Sequence, residues 1–282
     1  MGPARAPRHA VRSRPISFCV LLVGVMTCAG GCAARRFERP TGPAAPAPEA
    51  AAAWQAATAT CRDVRTARVT SPGLRLVFRA GTRRFPAVTL GAAFDDRGRA
   101  MALDARVGTA AFFTLAGSAD QATLVLRDGR YVTAPAADIV EALIDVRLEP
   151  ARLLAILTGC LTPTPEFRQA VRRDRWLEVT AADAVAYLDQ TSDGAWRLRA
   201  GTFDGLDVHY WELGPSWPRS LEIRSRADAG KPAMSIAISR LEIIEPNAPL
   251  EASLFQLVLP PGATSISLAE LRAVGPAGAG SN

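Results

Sequence analysis

From Leu74 to Ile238 the chain repeatedly places an apolar residue at every second position, and no other feature restricts its fold as strongly. Leu74, Leu76 and Phe78 alternate with Arg75, Val77 and Arg79, and Val88, Leu90, Ala92 and Phe94 keep the same period. Met101, Leu103, Ala105 and Val107 do so against Asp104 and Arg106. Successive side chains of a strand point to opposite faces, so this is the pattern of strands with one buried face and one wet face. Asp96-Arg97-Gly98 separates two of these runs. Asp128-Gly129 follows Leu124 and Leu126, and Asp204-Gly205 precedes Leu206, Val208 and Tyr210. Asp-Gly pairs supply the left-handed backbone that tight hairpins require. Trp196 with Leu198, Leu221 with Ile223, and Met234, Ile236 and Ile238 extend the series. The expectation is a long antiparallel meander.

Two segments in the middle break the period. Ala136 to Ile144 has helical spacing, and so does Pro150 to Thr158. The second carries Pro150 where a helix tolerates proline, at its first position, and Gly159 just past its end. Leu153, Leu154, Ile156 and Leu157 nearly encircle it, so it needs cover on most sides. A short helix is expected to start near Trp54 and its Ala-rich neighbours.

The ends are of a different character. Arg5, Arg8, Arg12 and Arg14 stand in an acid-free start, followed by the apolar run Ile16 to Met26 and a cluster of small residues. Basic, apolar and small-residue regions in that order make an export signal, and the apolar run is too short to span a bilayer comfortably. Removing this leader takes the net charge from +6 to +2, which withdraws the case for nucleic-acid binding. Residues 37–53 are rich in proline and alanine and read as a linker, and 273–282 as a disordered tail. The expected organisation is therefore leader 1–31, anchor and linker 32–53, folded domain 54–272 and tail 273–282.

Little in the chain points to catalysis. Once the leader is gone His209 is the only histidine, there is no GxSxG elbow, and Asp95-Asp96 sits in a turn where solvated charge is expected. No metal or cofactor is implied, and His209 reads as structural. Cys61 and Cys160 can pair in an oxidising compartment or remain buried thiols, because a sequence does not give the Cα separation that a bridge requires.

Ala29-Gly30-Gly31-Cys32 resembles the lipobox of bacterial lipoproteins, which implies an acylated Cys32 as membrane tether and new amino terminus. The order of features from about Cys61 to Arg272 resembles the lipoprotein-localisation proteins LolA and LolB. GTAAFFTLAGSADQATLVLRDGRYV is similar to that family's central strands, ADIVEALIDVRLEPARLLAILTG to its helical lid, and LFQLVLPPGATSISLAELR to its C-terminal end. The resemblance implies a mainly β fold with a helical lid, a curved antiparallel half-barrel of about eleven strands. It also implies an apolar cavity for acyl chains or another apolar ligand, with Leu103, Phe112, Leu124, Leu126, Leu153, Leu154 and Leu157 as candidate lining. The LolB acceptor has a protruding loop with an apolar tip, for which only Phe85 is available here. The expected setting is the cell envelope, on the periplasmic side of the outer membrane, with lipid, lipoprotein or an envelope protein as partner. The alternative is a non-catalytic envelope scaffold whose core is filled by its own side chains.

Overall fold

The computed structural model describes residues 37–78, 88–225 and 234–274, together with Gly2. Two compact units divide the chain, Met1–Glu38 and Arg39–Asn282, and the fold described below is that of the second. Phe85 lies outside the described residues.

A helix, α1 (Ala50–Arg62), precedes six strands that run as a simple meander. These are β1 (Ala67–Phe78), β2 (Val88–Asp95), β3 (Ala100–Val107), β4 (Ala110–Ser118), β5 (Ala122–Leu126) and β6 (Arg130–Ala134). Two helices follow, α2 (Ala136–Ile144) and α3 (Pro150–Thr158). The chain then re-enters the sheet at its opposite edge and meanders back through β7 (Phe167–Arg173), β8 (Trp176–Ala181), β9 (Ala184–Gln190), β10 (Trp196–Phe203), β11 (Leu206–Leu213), β12 (Pro218–Ser225) and β13 (Met234–Ser239). The two meanders join where β13 pairs antiparallel with β1. After β14 (Glu242–Ile244), a two-residue strand β15 (Thr264–Ser265) pairs parallel with β6, and α4 (Leu268–Val274) ends the described chain. The product is an open, curved, mainly antiparallel sheet with helices, the half-barrel class expected.

Among the described residues the sheet has fifteen strands rather than about eleven. The shortfall lies mostly in β7, β8 and β9, which the alternation reading passed over. Their connecting turns contain no glycine: Asp174 and Ala182 themselves take left-handed backbone, with φ of 52° and 47°. A tight turn made by residues that rarely adopt φ > 0 leaves no Gly signal to read.

The junction strand is built around a break. β1 pairs with β14 at Arg68–Thr70 and with β13 from Gly73 onward, and its register against β2 shifts between Ser71 and Leu74. Pro72, which has no N–H to give a ladder, falls inside that irregularity. Buried Ser71 donates its hydroxyl to the Ser239 carbonyl at 2.7 Å, so its own buried polar group is satisfied where the partner changes.

The segment read as the end of a linker is part of the folded unit. Ala45 exchanges two 2.9 Å backbone hydrogen bonds with Arg172 on edge strand β7, and Ala50 and Ala53 are buried in the first turn of α1. Small side chains let the backbone lie close to the sheet, and composition alone does not distinguish that use of alanine from a flexible linker.

Candidate functional site: an apolar cavity between sheet and helices

The inward faces of β2, β3, β4, β12 and β13 present apolar residues to α2 and α3. Both helices have local reasons to be where they are. α2 follows Pro135, carries Asp138 in its first turn, and ends as Asp145 turns left-handed. α3 begins at Pro150 and ends at Gly159, whose φ of 85° allows its N–H to reach the last carbonyls. A Cβ at Gly98, in the short turn between β2 and β3, would lie 2.6 Å from the Ala151 backbone, so that turn and α3 are in close contact.

Between these layers lies a cavity of about 90 Å³. The sheet contributes Leu90, Leu103, Phe113, Ile223, Ile236 and Ile238; the helices and their connection contribute Val140, Leu143, Ile144, Leu148, Leu153 and Leu157. Every lining residue is a hydrocarbon. The site can exclude water and hold apolar groups by burial, at about 25 cal/mol per Å², and it offers no acid, base or nucleophile.

α3 is fixed from several sides. The Tyr210 hydroxyl donates to the Ile156 carbonyl at 3.0 Å, and burial pushes its phenol pKa well above the ordinary value. Arg152 pairs with Asp183, donates to the Leu161 carbonyl at 3.2 Å, and lies 4.6 Å over the Phe203 ring. Burial is the largest single influence on Asp183 and opposes its ionisation, but the bond and charge of Arg152, a backbone N–H and the Thr162 hydroxyl together outweigh it, and its carboxyl lies below its usual range. A disulfide joins Cys61 at the end of α1 to Cys160 just after α3, with Cα atoms 5.6 Å apart. Of the two states the sequence left open, the structure holds the bridge.

α2 is held differently. Arg147, in the connection between the helices, pairs with Asp138 and lies within 3.6 Å of Glu141 and 3.5 Å of Glu149. These are surface ion pairs, which water and salt screen and which therefore hold only weakly.

The expected lining residues divide into three groups. Leu103, Leu153 and Leu157 line the cavity. Leu124, Leu126 and Leu154 are buried in the surrounding core and do not line it. Phe112 is half-buried and packed against the core, and its neighbour Phe113, which pairs with Ala105 beside the register shift at Ala105–Arg106, takes the lining position. The residues that sequence reading missed come mainly from α2, β12 and β13. Their periodicity was legible; their proximity to β2–β4 follows only from the β1–β13 junction.

His209 lies on the other face of the sheet, beside Trp211 with ring centroids 5.7 Å apart. Burial, and then the Arg224 charge, hold its imidazole pKa below the ordinary value. Its cross-strand neighbour is Glu222. Among the described residues no group of three or more His, Cys, Asp or Glu side chains is placed to hold a metal ion. None of the described helices is long and apolar enough to cross a membrane. Cys32 lies outside the described residues.

No protein-family model and no curated protein matches the chain. Solved structures similar to it include a LolA superfamily protein from Nitrosomonas europaea, at 11% identity, 72% of this chain, 97% of that one and a TM-score of 0.42. An uncharacterized conserved protein from Thermus thermophilus is similar at 10% identity, 77% of this chain, 98% of that one and a TM-score of 0.34. LprF from Mycobacterium bovis is similar at 14% identity, 77% of this chain, 99% of that one and a TM-score of 0.32.

Proposed function

We propose that this chain is an envelope lipoprotein, tethered through Cys32 to the periplasmic face of the outer membrane, that receives acyl chains or a similar apolar ligand between its sheet and the α2–α3 pair. The observation that carries this reading is the cavity, lined entirely by hydrocarbon side chains. The Ala29-Gly30-Gly31-Cys32 sequence supports the tether. A role in lipid or lipoprotein trafficking follows from such a ligand in such a place.

The volume sets a condition on the mechanism. About 90 Å³ is roughly the share of three water molecules in the liquid and lies well below the 300 Å³ or more of typical small-ligand pockets. A long acyl chain therefore fits only if a covering helix moves. α3 is held by the disulfide, Tyr210 and Arg152. The movement falls to α2 and the 145–149 connection, whose polar ties are exposed ion pairs. The same small volume favours the second reading, a scaffold whose core is filled by its own side chains.

Mass spectrometry on residues 35–282, which contain the whole compact unit, purified without detergent, separates the two. A co-purifying acyl-containing molecule at one per chain, lost in Leu153→Asp, supports the ligand reading. An empty protein that also ignores an added fluorescent fatty acid overturns it in favour of the scaffold.

A further inference from the structure

The residues just after the tether are strapped to the folded unit, and this changes where the unit can go. Arg39 Nη2 lies 2.6 Å from Asp207 Oδ1 on β11. Arg173 Nη1 donates to the Gly42 carbonyl at 2.7 Å, Ala45 pairs with Arg172 through two backbone hydrogen bonds, and Arg172 forms an ion pair with Glu49. A Cβ at Gly42 would stand 2.8 Å from the Asp174 carboxylate oxygens, so the strap passes close over that turn as well.

Asp207 alternates along β11 with buried Leu206 and Val208, which places the strap's first contact on the face of the sheet opposite the cavity. That outer face has a particular chemistry. Glu178, Asp189, Asp207 and Glu222 each have an arginine partner, respectively Arg173, Arg175, Arg39 and Arg224. Trp176 and Trp211 are half-buried on the same face, with the Arg175 guanidinium 4.9 Å over the Trp176 ring. Carboxylates neutralised by arginine beside tryptophan rings suit the headgroup layer of a bilayer, where Trp and Arg place apolar bodies and polar tips at one level.

We infer that the strap leaves a leash of only residues 33–38 and holds the outer face of β8–β11 against the headgroups of the membrane that carries Cys32. This rests on the acylation of Cys32 in the function proposed above. Those residues reach at most roughly 20 Å when fully extended. A compact unit of this length has a radius of gyration of about 18 Å, so its far side stands about 36 Å or more from the strap. The leash is too short to let the unit turn that far side to the bilayer. Ligand is therefore exchanged on the side of the sheet away from the anchoring membrane.

The test uses the full acylated chain in vesicles containing headgroup-spin-labelled lipid. A fluorophore is placed at Arg175→Cys, on the outer face, or at Arg127→Cys, in the β5–β6 turn across the sheet. The mass of the N-terminal peptide is measured first. Quenching several-fold stronger at position 175 than at 127, evened out by inserting about twelve Gly/Ser residues after Ala34, supports the inference. Equal quenching in the acylated parent, or a difference that survives the insertion, overturns the inference and leaves acylation standing. A chain without acyl mass on Cys32 overturns both. Asp207→Ala, which frees the end of the strap, is expected to reduce the difference without changing the far-ultraviolet spectrum.

Discussion

At the scale of single residues, two buried titratable groups on opposite faces of β11 make opposite demands on pH. Tyr210 faces the helices, and burial raises its phenol pKa above the ordinary 10.0. The unfolded chain therefore releases this proton first as pH rises, so the associated stability is complete below about pH 10 and is lost above it. Tyr210→Phe removes the bond to Ile156 and is expected to cost about 1 kcal/mol near neutral pH, or about 2–4 °C in Tm. Its stability should then fall less than that of the parent above pH 10, and thermal melts across that range check both effects. His209 works in the other sense. Burial, and then Arg224, lower its pKa below 6.5. The unfolded chain takes up the proton first as pH falls, so stability present above about pH 6.5 declines below it. His209→Gln should flatten the decline in Tm between about pH 7 and about pH 5. An unchanged slope there would mean that the carboxylates Asp207 and Glu222 cancel the effect of burial and Arg224.

At the scale of elements, the helices covering the cavity are held by unlike devices. The disulfide closes a loop with a sequence separation of 99, which in the chain-entropy account stabilises the fold by about 4–5 kcal/mol. Reduction, or replacement of Cys61 and Cys160 by serine, is expected to lower Tm by about 10 °C on the scale for a unit of this size. It should also raise amide exchange in α3 more than in β3 or β12. Uniform loosening across the sheet would show that the bridge serves the fold as a whole rather than the position of α3. The strap and β15 act at the two sheet edges. Ala45 occupies the hydrogen-bonding groups of β7 at Arg172, while Thr264 and Ile266 donate to the carbonyls of Gly129 and Tyr131 beside β6. An open sheet with bare edges invites pairing with other chains, and these short covers reduce that exposure.

At the scale of the whole molecule, the halves depend on one another. β1 and β13 are far apart in sequence and adjacent in the sheet, and the cavity draws its walls from both meanders. Residues 39–146 alone would leave β1 without its β13 and β14 partners and α2 without α3. This fragment is expected to remain unfolded or to aggregate, as read by far-ultraviolet circular dichroism and amide proton dispersion. A dispersed spectrum from the isolated fragment would show that the first meander is a separate folding unit.

The alternation of Leu90 with Ala92 and of Leu103 with Ala105, the Asp-Gly turns, and the Pro150–Gly159 helix frame were legible because each is a local rule of backbone and burial. They determined the mainly β class, the antiparallel meander, the position of both covering helices, and an apolar inner face. The strands β7–β9 stayed hidden because Asp174 and Ala182 make their turns without glycine. The strap stayed hidden because alanine and proline serve a loose linker and a close-packed one alike. Which leucines line a cavity and which simply fill the core was also beyond local reading, as Leu103 and Leu124 demonstrate. That distinction depends on how far β13 carries Ile236 and Ile238 toward β2 and β3 across the β1 junction. Local pattern specifies which face of a strand is apolar; only the long-range pairing of strands decides which apolar faces meet, and how much space they leave.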